Sequence, residues 1–137
     1  MAQPLFEVTI PIRTVSESNL SEHWAKKGKR HKQQKTVTRL WMNQALSDQT
    51  SLSNLEYMQE HPLILVITRL APRSLDGHDN LAMSLKWVTD AICECFVPGL
   101  AIGRADSSDR FKEIRYEQKK GVPKTYAVSV QVFPASQ

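Results

Sequence analysis

Apolar and polar positions along the chain alternate in two different rhythms, and each rhythm marks an element. LFEVTIPI (residues 5–12) alternates in part and closes near Pro11, which predicts a strand. Residues 13–30 read as an exposed loop, because Ser16, Ser18, Asn19, Ser21 and Gly28 supply turn and cap types. From about 31 to 47 the pattern becomes helical, with Val37, Leu40, Trp41, Gln44 and Ala45 on one face and the preceding lysines solvated. DQTSLSNLEYMQEH (48–61) predicts a loop or a short helix. PLILVITRL (62–70) is an almost unbroken β-branched and apolar run, as expected of a central strand covered on both faces.

The helix over about 79–96 is the clearest element. Leu81, Leu85, Val88, Ile92 and Phe96 recur at three- and four-residue spacing and form a core-facing stripe. A second stripe runs Asp79, Met83, Lys86, Asp90. A loop, PGLAIGRADSSD, leads to two further strands, RFKEIRYEQ (110–118) and TYAVSVQVF (125–133), the latter with Tyr126, Val128, Val130 and Val132 on one face. KKGVP between them predicts a hairpin turn. The order β-α-β-α-β-β implies an α/β (α+β) single domain over residues 1–137 with a mixed sheet.

Composition narrows the function classes. At 137 residues and 41% hydrophobic the chain supports one modest core. No apolar stretch approaches the roughly 20 residues that span a bilayer, and MAQPLFEVTIPIR lacks the features of a signal peptide, so a cytoplasmic protein without a membrane partner is expected. Cys93 and Cys95 lie two apart on a helix and point in different directions, which predicts buried thiols rather than a disulfide or metal pair. The four histidines form no zinc-type spacing.

The net charge of +4 matters less than its placement. WAKKGKRHKQQKTVTR (24–39) carries seven Lys or Arg and no acid, so Lys26, Lys27, Lys29, Arg30, Lys32 and Lys35 are candidate DNA contacts. Residues 76–109 reverse the balance, with Asp76, Asp79, Asp90, Glu94, Asp106 and Asp109 against Lys86 and Arg104. A basic segment attracts a polyanion and an acidic cluster repels one, unless a cation lies between them.

LDGHDN (75–80) stands at the junction of the central strand and the clear helix. Turn chemistry explains every residue in it: Gly77 suits a tight turn, and Asp79 or Asn80 suits an N-cap. The chemical alternative gathers Asp76 and Asp79 with Asp106, from the loop beyond the helix, around Mg2+, with Mn2+ as a substitute. That cation would polarise a phosphoryl oxygen and lower the pKa of a bound water. Lys86 leans towards the helix N-terminus, where it can stabilise transition-state charge or protonate a leaving oxygen, or it can pair with Asp90 at i+4 on the helix surface. His78 is a ligand in one reading and a solvated turn residue in the other, and Asp109 reads as a turn or strand-start residue.

The run LDGHDNLAMSLKWVTDAI followed by GRADSSDR resembles the signature of the RusA family of Holliday junction resolvases, especially its shorter phage and prophage members. SESNLSEHWAKKGKRHKQQK is similar to that family's SxN start and basic arm. The resemblance implies a RusA-like fold and a homodimer that binds four-way DNA junctions and cuts paired strands symmetrically with Mg2+ in recombination or repair. It places the metal-binding acids at Asp76, Asp79 and Asp106 and the essential lysine at Lys86. The family more often has DxD where this chain has DGHD, and many members have an acid at Ala105. A branched-DNA-binding protein of the same fold that has lost cleavage is the alternative reading.

Overall fold

A computed structural model describes residues 3–15, 24–97 and 109–135. The elements run β1 (Phe6–Ile10), α1 (Trp24–Gln49), α2 (Leu52–Glu60), β2 (Leu63–Ala71), α3 (His78–Ser84), α4 (Lys86–Phe96), β3 (Phe111–Lys120) and β4 (Ala127–Pro134). They form a small α+β domain around one four-stranded mixed sheet of order β1-β4-β2-β3. β2 pairs parallel with β3 through the α3–α4 crossover and antiparallel with β4, and β4 pairs antiparallel with β1.

The continuous apolar run of β2 fits its central place, since a strand paired on both edges leaves no backbone group to water. Leu63, Leu65 and Ile67 share the core face with Val130 and Val132 of β4 and with Phe6 and Val8 of β1. The stripe Leu81, Leu85, Val88, Ile92, Phe96 closes this core from the helical side, every member buried as the spacing predicts.

Four expectations need correction. β3 and β4 are not a hairpin: β2 lies between them, and the connection after β3 crosses its end, with the Gly121 amide donating to the Ala71 carbonyl at 2.9 Å. A turn signal fixes a reversal of direction but not which strand becomes the neighbour. The helix over 79–96 is two helices joined at Leu85, whose amide is shared between the carbonyls of Leu81 (3.3 Å) and Ala82 (3.2 Å) in a tightened turn.

The other two corrections concern α1, which begins at Trp24 and so absorbs the basic residues read as loop. Ala, Lys, Arg and Gln are all good helix formers, and the lone Gly28 does not outweigh them. Its buried face is also displaced. Gln34, Thr38, Met42 and Ala45 point inward, whereas Leu40 and Trp41 are exposed, at 65% and 43%. Thr38 tolerates burial because its hydroxyl donates to the Gln34 carbonyl at 2.7 Å. α1 packs mainly on α4, and α4 offers it polar partners. His31 stacks on Trp87 with ring centroids 4.3 Å apart, and Lys35 and Arg39 reach Glu94 at 3.6 and 2.6 Å. Leu40 and Trp41 stand outside that seam.

Candidate functional site

The LDGHDN turn leaves the end of β2 in a conformation fixed by its own sequence and by one partner strand. Gly77 has φ 82° and ψ 147°, a region that only glycine enters without strain. Gln118 of β3 holds the preceding residue at both ends: its amide accepts from the Leu75 N–H at 2.8 Å and donates to the Leu75 carbonyl at 2.9 Å. The Asn80 side chain donates to the Asp76 carbonyl at 2.7 Å. Neither Asp79 nor Asn80 is the N-cap of α3, contrary to the sequence reading; that position is Gly77, with no side-chain cap.

With the backbone held in this way, Asp76, His78 and Asp79 are all exposed. His78 meets the edge of the Tyr116 ring, with centroids 6.2 Å apart at 66°. Lys86 is exposed on the next helix and lines a hollow with Met83, Thr89 and the same Tyr116. Tyr116 is therefore the common neighbour of the turn and the lysine. The Lys86 ammonium lies 5.4 Å from the centroid of Trp87.

The alternative reading of Lys86, a surface pair with Asp90, is not formed, because Asp90 is 2% exposed and turned into the domain while Lys86 faces solvent. Asp109 is exposed in the turn before β3, a structural position in keeping with the sequence. Asp106, the third expected acid, and the segment resembling the SxN start lie outside the described residues. Among the described residues no three His, Cys, Asp or Glu gather in a metal-binding group. Two exposed carboxylates on a hydrogen-bonded turn are compatible with Mg2+, which takes one or two carboxylates and keeps several waters.

The basic segment divides along α1. Lys26, Lys29 and Lys32, three apart, are exposed and make one outward row, with Lys27 and Arg30 half-buried beside it. Lys35 points inward. Its side chain is 13% exposed, and its ammonium is held by Glu94 and by the Trp87 ring at 5.8 Å. It belongs to the α1–α4 seam and is not free to meet a phosphate.

The sequence reading missed Gln118 and Tyr116 altogether. Both lie on the helix-facing side of β3, in register with Arg69 and Ile67 of β2, and only strand pairing brings them to the turn. The thiols behave in part as expected. Cys93 is buried and neither thiol is in a disulfide, whereas Cys95 is only partly buried, and burial pushes its pKa up to about 11, which keeps it a thiol at neutral pH. No helix among the described residues is long and apolar enough to cross a membrane. Neither the family models nor the curated proteins compared with this chain give a match.

Proposed function

We propose that the chain is a RusA-like, Mg2+-dependent endodeoxyribonuclease acting on branched DNA such as four-way junctions. The observation that carries this reading is the set of restraints on the turn. A glycine-only conformation, a two-ended clamp from Gln118 and a bond from Asn80 hold a turn with two exposed aspartates beyond the central strand, and Tyr116 neighbours both that turn and the hollow lined by Lys86.

In this reading Asp76 and Asp79, with Asp106, hold the cation. Bound there, Mg2+ would supply phosphoryl polarisation and a water of lowered pKa. Lys86 faces the hollow beside Tyr116, where its ammonium stabilises charge accumulating on the phosphoryl group or protonates the leaving oxygen. The outward lysines of α1 bind the strands electrostatically. Two copies related by a two-fold axis would match the symmetry of a junction.

The second reading is a branched-DNA-binding protein of the same fold without cleavage, for which the outward row of Lys26, Lys29 and Lys32 would suffice. A labelled synthetic four-way junction incubated with Mg2+ or with chelator distinguishes the two. We expect Mg2+-dependent cleavage by the native chain, and cleavage abolished in Asp79→Asn with binding kept or tightened. Lys86→Ala should bind normally and cut at least about a hundredfold more slowly, the usual effect of removing one group that acts on the transition state. Binding without any metal-dependent cleavage would select the second reading.

A further inference from the structure

Arg69 is an unusual residue for the core-facing side of a central strand. It is 7% exposed, and among the described residues every hydrogen bond it makes is to a neutral acceptor. Its Nε donates to the Thr14 hydroxyl at 3.2 Å, Nη1 to the Arg73 carbonyl at 2.9 Å and Nη2 to the Thr14 carbonyl at 3.4 Å. Burial lowers its pKa, Tyr126 opposes that shift and Arg13 adds to it. Buried cations are ordinarily matched by an acid. Among the described residues no ion pair links Arg69, Arg13 or Arg73 to a carboxylate.

These three arginines line one cavity of about 250 Å³ with Thr14, Tyr126 and Pro72, and among the described residues no acid lines it. That space holds a phosphate group together with several waters, at about 30 Å³ per water. Arg13 is kept in place by the Tyr126 ring, its guanidinium carbon 4.4 Å from the centroid. Arg73 is exposed at the rim. Arg13 also lines a second, separate hollow with Arg30 and Gln34 of α1, so it stands between the pocket and the basic helix. On its other side Asp76 follows Arg73 by three residues, at most about 11 Å between Cα atoms at 3.8 Å per step.

We infer that Arg13, Arg69 and Arg73 form a binding site for a backbone phosphodiester of nucleic acid, between the basic helix and the candidate cutting turn. Arg69 is the charged floor, while Arg13 and Arg73 supply planar N–H pairs suited to phosphate oxygens. The site would seat a phosphate one or two nucleotides from the one to be cut. This placement rests on the proposed nuclease reading; the anion site itself does not.

The test uses the whole chain without divalent metal, so it is independent of cleavage. Inorganic phosphate is titrated against the native chain, Arg73→Gln and Arg13→Gln/Arg73→Gln, and four-way-junction affinity is measured for each across a salt series. Neither substitution removes a donor to Thr14 or a carbonyl acceptor, so unfolding temperatures without phosphate should agree closely. We expect phosphate affinity at least about tenfold weaker in the double variant, and a salt slope shallower by roughly one, because one DNA phosphate is no longer neutralised. An unchanged salt slope overturns the inference even if free phosphate still binds, since the pocket would then take a free anion and not a DNA backbone. A reduced slope in a chain that never cleaves would sustain the pocket and remove the nuclease reading alone.

Discussion

Along α1 the positive charge belongs to one segment, Lys26 to Arg39, and is visible in the sequence before any fold is known. In the arginine pocket the charge comes from Arg13 after β1, Arg69 in β2 and Arg73 beyond it, scattered over 61 positions of the sequence. The first region is rich in cations, yet two of its members, the inward Lys35 and the exposed Arg39, are paired with Glu94. The second region has few cations, and none of them meets an acid among the described residues. Counting charges along a chain measures supply, whereas availability to a ligand depends on which acids the fold brings near.

The largest effect expected from this contrast lies on the outer row of α1. Replacing Lys26, Lys29 and Lys32 together with Ala should weaken junction binding strongly at low salt and flatten its salt dependence by roughly two to three, at about 0.9 per phosphate contact. All three are exposed, so the unfolding temperature should barely move. A salt slope that stays at its native value would shift the whole DNA contact to the arginine pocket.

Much of the fold was legible because burial and periodicity agree. Val128, Val130 and Val132 alternate inward, and Leu81 to Phe96 form a helical stripe, with every member buried. The face of α1 was not legible, because two of its four buried residues are polar. Gln34 and Thr38 point inward with Met42 and Ala45, and a hydrophobic pattern has no symbol for a buried polar position. The false hairpin has a related cause: sequence adjacency of β3 and β4 says nothing of β2, which separates them. At the candidate site Asp76, Asp79 and Lys86 could be named from type and spacing. Gln118, forty-three positions from Leu75, could not.

Gly77 gives a smaller effect that separates geometry from charge. A Cβ at this position meets nothing within 4 Å, so Gly77→Ala carries only the conformational cost of φ 82°, about 1–3 kcal/mol. If the turn relaxes to relieve that cost, Asp76 moves relative to Asp79 and cleavage should fall while the salt slope of binding is retained. A variant less stable by that amount but cutting at the native rate would show that the turn conformation does not position the acids.

The smallest effect is expected at Lys35, the member of the basic segment that the fold turns inward. Replacing a surface lysine that meets phosphate would reduce the salt slope by roughly one. Replacing Lys35 instead leaves the Arg39–Glu94 pair in the seam and removes a charge near Trp87. Lys35→Met keeps most of the packed stem, so the expected destabilisation is about 1 kcal/mol or less, given that Arg39 still reaches the carboxylate at 2.6 Å. The double variant with Glu94→Gln should be less destabilised than the sum of the two single variants, because the two side chains act on one another. Junction affinity and its salt slope, measured on the same samples, should match the native chain. A fall in slope equal to that of Lys32→Ala would mean that Lys35 leaves Glu94 when DNA binds, and that the inner and outer faces of α1 exchange their charge.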